Sequence, residues 1–270
     1  MTIAAGFKFK DGILLCADRE ITEGISKFSE SKLFGEQIGP DVSLIFTLAG
    51  AMDYAEMAIQ EIIAAVKSSQ FTTHADIRAA MSDTVRDIYS EAIGGLLQSR
   101  QTEAGFGLLL GVWAEGQLKL YASEDTAVKE VPQFRCIGIG KELAKYVLSR
   151  DGVRGSDRMS VQTAEAIALR IIQHVKESVS GCGKETDVLI LDSRGVLTRK
   201  SQSDYHFELK MIELYDQMTS VLLPFSLELD MSEEDREIGF RLALSNYFQR
   251  LKILQDEKRD QQEEAEREED

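Results

Sequence analysis

The chain has 270 residues, 43% of them hydrophobic, and a formal net charge of −15. This fits one large domain, or one domain plus an extension, and excludes a chain disordered throughout. The acid excess argues against nucleic acid or an anionic membrane as the main partner.

From Asp256 to Asp270 there are nine acids and three bases, so about −6 of the charge is local to the tail. No apolar run reaches the ~18 residues of a membrane span. The start lacks a basic segment followed by an apolar core, so no signal peptide is expected. The cysteines Cys16, Cys136 and Cys182 are far apart and odd in number, which suits free thiols in a reducing compartment. The expectation is a soluble cytoplasmic protein.

Ile3–Lys10 reads as a strand, with alternation in "FKFK". Asp11-Gly12 is a hairpin signal, because a type I′ turn needs positive φ at both central residues. Ile13–Ala17, "ILLCA", is apolar on both faces and so reads as covered on both sides. Asp18 ends it, and "REITEGISKFSESK" is a polar loop or ragged strand pair. Ser43–Gly50 is another buried strand, ending at a glycine. The stretch "MDYAEMAIQEIIAAVKSS" sets Met57, Ile59, Ile62, Ile63 and Val66 largely on one helical face. A second helical pattern runs from the N-cap Thr73 through "GGLLQ".

Three strands follow, "AGFGLLLGVW", "QLKLYAS" after a Glu115-Gly116 turn, and "FRCIGIG". "KELAKYVLSR" is a short helix, and the next one, capped by Ser160, is broken by "GCG". "TDVLILD" and "VLTR", joined at Ser193-Arg194-Gly195, are strands. Doubly apolar strands and paired helices suggest two stacked sheets flanked by helical layers over residues 1–200. Residues 201–255 form a mixed and helical extension. There Ser232 and Asp235 resemble a capping box before Ile238, Leu242, Leu244, Tyr247, Phe248, Leu251 and Ile253. Residues 256–270 read as a solvated helix end or a disordered tail.

Few motifs carry chemistry. His74, His174 and His206 lack metal-ligand spacing with cysteine or with one another. There is no G-x-S-x-G elbow. The G-x-G of "CIGIGK" lacks the remainder of a phosphate-binding fingerprint.

The opening "TIAAGFKFKDGILLCADREITEG" is different. A threonine starts a strand, a D-G hairpin follows, and an apolar strand ends in A-D before a basic residue and T-x-G. It resembles the start of a proteasome β-type subunit of the N-terminal nucleophile hydrolase family. In order, "SESKLFGE", "FTLAGAMDYAE", "FRCIGIGKELA" and "SVSGCGKETDVLIL" resemble further elements of that family. Together the five stretches span about the first 200 residues. The resemblance implies an α+β fold, a four-layer α/β/β/α sandwich of two antiparallel sheets flanked by helices, here followed by a C-terminal helical extension.

The resemblance also implies chemistry. A threonine hydroxyl is a poor nucleophile until a base takes its proton. A free α-amine, with an unperturbed pKa of about 7.7–8.0, can be that base. Thr2 carries both groups once Met1 is removed, and its small side chain permits that removal. Lys32 would lower the pKa of the amine and stabilise the alkoxide, and Asp18 would hold Lys32. Lys27 is the nearby competitor for the lysine role. The Gly50 amide would bind the oxyanion, with Leu48 and Met52 flanking it as pocket or core residues. Glu177 and Ser180 match a family carboxylate and serine, although the family has aspartate at the first position. Ile139 stands where the family has a serine between two glycines.

The implied activity is a threonine-type endopeptidase working through an acyl-enzyme, with no cofactor and no metal. The alternatives are a non-catalytic assembly subunit, or an amidase of the same family acting on small amides. Implied partners are a peptide or unfolded protein substrate, further copies in a homo-oligomeric ring and an ATP-driven partner, with no nucleic acid and no membrane.

Overall fold

A computed structural model describes residues 2–23, 25–150, 159–227 and 232–269. The chain divides into two compact units, Met1–Gln202 and Ser203–Asp270.

The first unit runs β1 (Ile3–Phe9), β2 (Gly12–Asp18), β3 (Glu20–Glu23), β4 (Ser26–Ser29), β5 (Leu33–Ile38), β6 (Val42–Gly50), α1 (Met52–Ser69) and α2 (His74–Asp87). A π-helical turn over Ile88–Ile93 leads to α3 (Gln98–Ala104). Then come β7 (Phe106–Ala114), β8 (Gln117–Glu124), β9 (Ala127–Val131), β10 (Phe134–Gly138), α4 (Lys141–Arg150), α5 (Val161–Ser178), β11 (Thr186–Asp192) and β12 (Leu197–Lys200). One sheet has the order β10-β1-β2-β11-β12 and the other β5-β6-β7-β8-β9, with every pairing antiparallel. β3 and β4 form a separate hairpin. Helices α4 and α5 cover the first sheet, and α1 and α2 the second.

The two-residue period of a strand builds this core. In β6, Leu44, Phe46 and Leu48 pack with Ile59, Ile62 and Val66 of α1 and Met81 of α2. The intervening Ile45 and Ala49 pack with Ala4, Ile13, Leu15 and Ala17 of the other sheet. Each such large side chain gains about 1.5–3 kcal/mol from burial, and the two faces together lock the register of the central strands.

Turn chemistry explains one hairpin and fails for another. Glu115 (φ +52) and Gly116 (φ +66) make the positive-φ turn between β7 and β8. The β1–β2 hairpin instead pairs Phe9 with Gly12, so its loop is Lys10-Asp11, and neither these residues nor Gly12 has positive φ. Gly12 is needed for space, since a Cβ there would lie 2.3 Å from the Phe9 ring and 2.7 Å from the Leu191 carbonyl oxygen. The helical pattern read through residue 98 is interrupted by the π turn, and β9, unread in the sequence, completes the second sheet.

The second unit is an antiparallel pair of helices, α6 (His206–Leu227) and α7 (Glu233–Glu269). Lys258 bonds Glu208 at 3.1 Å, Lys210 bonds Glu257 at 3.2 Å and Arg250 bonds Gln217 at 2.8 Å. Ser232 caps α7 by accepting from the Asp235 amide at 3.1 Å. The charged tail continues this helix to Glu269. Among the described residues, no helix is long and apolar enough to cross a membrane.

Candidate functional site

The first residues of β1 and the last of β2 lie side by side, with Ala4 opposite Ala17. This brings the chain start beside Asp18, which is fully buried. Asp18 Oδ1 accepts from the Ile3 amide at 3.0 Å and from Lys32 Nζ at 2.9 Å. Its Oδ2 accepts from the Gly183 amide at 3.0 Å. Three donors therefore satisfy a carboxylate that would otherwise be too costly to bury. One of them is the amide that follows Thr2, and Thr2 itself is buried. Met1 lies outside the described residues.

Lys32 stands immediately before β5 and is 2% exposed. It also donates to the Glu20 carbonyl oxygen at 2.7 Å. Burial pushes its pKa below the ordinary lysine value, and the charge of Asp18 pushes back against that. Lys27 is directed elsewhere, since its Nζ is 2.7 Å from Glu20 Oε1 on the neighbouring strand and half its side chain is exposed.

Gly138 closes the site from β10. It pairs with Ile3, has φ +91, and a Cβ there would lie 2.1 Å from the Thr2 carbonyl oxygen. The same Cβ would touch the Ala49 methyl at 3.4 Å, which sets the end of β6 beside the chain start. Gly50 follows, with φ +99 and room for no side chain, because a Cβ would lie 2.3 Å from the Gly105 carbonyl oxygen. In an antiparallel ladder, successive residues face alternate neighbours. Ala51 donates to Gly105, on the β7 side, at 3.0 Å. Leu108, paired with Leu48, donates to Ser123 Oγ at 2.8 Å and so faces away from β6. By this alternation the Gly50 N–H points away from β7, on the flank where β5 starts next to Lys32.

The other expected residues lie at the margin. Glu177 is exposed near the end of α5 and accepts from Gln173 at 2.6 Å. Ser180 is exposed in the turn leading to Gly183, the Asp18 donor. Ile139 is 49% exposed.

Several neighbours were not singled out from the sequence. Gly183 and the Glu20 carbonyl act through backbone atoms, which leave little trace in residue identity. The "GCG" break was a signal, since a Cβ at Gly183 would lie 2.6 Å from Glu20 Oε2. Cys182 is buried there, and burial, with Asp18 close by, pushes its thiol to about 12. Lys176 donates to Thr186 Oγ1 at 3.0 Å, and Thr186 is the cross-strand partner of Asp18. Burial lowers the Lys176 pKa as well, opposed by the Asp18 charge. Among the described residues no cluster of His, Cys, Asp and Glu has the geometry to hold a metal.

Residues 2–191 match the family described as proteasome subunit. No curated protein matches in sequence. Among solved structures the chain is similar to an Anbu (Gly-1) mutant from Hyphomicrobium sp. strain MC1, with TM-score 0.70 and 16% identity over 86% of this chain and 100% of that one. It is similar to Anbu (ancestral beta-subunit) from Yersinia bercovieri, with TM-score 0.69 and 16% identity over 86% and 99%. A third likeness, to the helical assembly of the Anbu complex from Pseudomonas aeruginosa, has TM-score 0.66 and 16% identity over 82% and 95%. Coverage of 86%, about 232 residues, exceeds the 202 of the first unit, so the likeness reaches into the helical pair.

Proposed function

The chain belongs to the proteasome subunit family, and from that premise we propose that it is a threonine-type N-terminal nucleophile hydrolase, a peptidase acting through Thr2 after removal of Met1. The observation that carries this reading is the buried Asp18, which binds Lys32 and the amide after Thr2 through one and the same oxygen.

In this reading the terminal amine of Thr2 takes the proton of its own hydroxyl, directly or through one water, as Oγ attacks the substrate carbonyl. Lys32 keeps a positive charge beside the developing alkoxide and disfavours a second cation on the amine. The Gly50 N–H binds the oxyanion, an interaction worth about 2.7–4 kcal/mol in the transition state. The amine then returns its proton to the leaving amide nitrogen, and water hydrolyses the ester to release the acid and restore Thr2. Glu177 and Ser180, both exposed, are assigned to the rim of this site by the family resemblance alone. By its likeness to the helical assembly from Pseudomonas aeruginosa, the chain works as a homo-oligomer.

Ile139 supports a second reading, an assembly subunit without activity, because an aliphatic side chain replaces a hydroxyl expected near the amine. Two measurements separate the readings. Intact mass should show Met1 absent, and a peptide epoxyketone, which needs an amine and a hydroxyl on one residue, should label Thr2. Thr2→Ala should remain folded and lose both labelling and turnover. Retained Met1 with no adduct would leave the structural reading standing.

A further inference from the structure

Among the described residues, the start of β7 is backbone-paired with a strand on one side alone, that of β6. Backbone pairing with β8 covers Leu109–Ala114 and does not extend to Phe106, yet buried backbone groups need partners. Ser123 Oγ takes the N–H of Leu108. At Phe106 a single hydroxyl serves both groups, since Tyr89 Oη accepts from its N–H at 3.0 Å and donates to its carbonyl oxygen at 2.8 Å. The Tyr89 ring stacks on Phe106, with centroids 5.1 Å apart and planes at 27°. Burial pushes its phenol above the ordinary value, so the hydroxyl keeps the proton it donates.

Tyr89 reaches this place through the π turn. The Gly94 amide donates to the Tyr89 carbonyl at 2.8 Å, an i→i+5 bond. The wider turn buries both Ile88 and Ile93, five residues apart. Such turns occur often at functional sites. Phe106 is the residue paired with Gly50, and Gly105 is the residue on which Gly50 and Ala51 rest. The direction of the Gly50 amide is therefore set by where residues 105 and 106 are held.

We infer that Tyr89 is a positioning residue for oxyanion binding, its hydroxyl fixing the strand start against which Gly50 aims its N–H. This rests on the hydrolase reading of Thr2 and Gly50. A misplacement of about 1 Å can cost on the order of 10²-fold in rate, and loss of one of several restraints should cost less.

The test is Tyr89→Phe in the full chain, compared with Ser123→Ala, which removes the other hydroxyl on the same edge but at Leu108. Tyr89→Phe should lower kcat about tenfold with KM within about twofold, and weaken binding of a peptide aldehyde, whose adduct carries an oxyanion, by about the same factor. Hydrogen exchange should quicken over residues 48–53 and 105–108 and stay unchanged around Asp18. Ser123→Ala should loosen β7 and keep kcat within about twofold. If Tyr89→Phe does not fold, 3,5-difluorotyrosine at position 89 keeps volume and hydroxyl while lowering the phenol pKa. The fall in kcat should then appear as pH rises through that lowered value.

Unchanged kcat in Tyr89→Phe, unchanged exchange at 48–53, or equal kcat losses in both variants would overturn the inference. A wild type that neither turns over peptides nor forms a Thr2 adduct defeats the hydrolase reading instead. The exchange measurement then still decides whether Tyr89 holds Gly50.

Discussion

Lys32 carries its charge where solvent scarcely reaches, and that has a pH signature. Its pKa in the fold lies below the ordinary lysine value because burial outweighs Asp18. In the unfolded chain it is about 10.4. Between the two values the unfolded state binds more protons, so the free energy of unfolding rises with pH across that window. Below the window Lys32 is a constant cost. Lys32→Met should remove this rise, seen as the difference between the two proteins' denaturant midpoints at alkaline pH. If the ammonium is needed for catalysis, kcat/KM should fall as pH rises through the same lowered value, and Lys32→Met should lose about 10²-fold or more in kcat. A second prediction concerns Gly138, where φ +91 and the Thr2 carbonyl exclude a side chain. Gly138→Ala should cost about 1–3 kcal/mol in stability and, by shifting residue 2, on the order of 10²-fold in turnover. Asp18, Lys32 and Gly50 were legible through the resemblance of the stretches that hold them to the proteasome β-type pattern, because that pattern is written in side chains or their absence. Gly183 and Glu20 did not, because they act through an amide and a carbonyl that every residue carries.

Elements were readable where one local rule acts alone. The bounds Met52–Ser69 follow from a clean apolar period and a left-handed C-cap at Gln70. The caps Thr73 and Ser160 accept the amides of Asp76 and Thr163. Reading failed where a tertiary demand overrides the local rule, as at the π turn, which answers to a missing neighbour of β7. The two X-Gly turns make that difference measurable. Gly116 has φ +66 and open space where a Cβ would stand, whereas Gly12 has ordinary φ and no space. Gly116→Ala should cost roughly 1–2 kcal/mol from backbone strain alone. Gly12→Ala must displace the Phe9 ring and the Leu191 backbone, so it should cost about 1–3 kcal/mol or more. Thermal unfolding should therefore rank Gly12→Ala as the more damaging. The reverse order would mean that the Phe9 ring and the Leu191 backbone give way to a Cβ at small cost.

At the scale of the whole molecule the dominant fact is charge. Each copy carries −15, of which Asp256–Asp270 contributes about −6, so bringing copies together adds like-charge repulsion. That repulsion acts over about 30 Å at 0.01 M salt and about 10 Å at 0.1 M. If the chain works as a homo-oligomer, assembly should strengthen as salt rises across this range, as read by sedimentation velocity at fixed protein concentration. Deleting residues 256–270 removes the densest part of the charge and none of the groups around Asp18. The shortened chain should assemble at lower salt than the full chain, with kcat per assembled copy unchanged. Weaker assembly of the shortened chain at every salt concentration would show instead that the end of α7 supports assembly, through its Lys258–Glu208 and Lys210–Glu257 pairs with α6 or through contacts between copies. A loss of kcat with assembly intact would place the tail in the reaction, against its composition, in which acids and bases alternate along the sequence with hardly an apolar residue to hold a substrate.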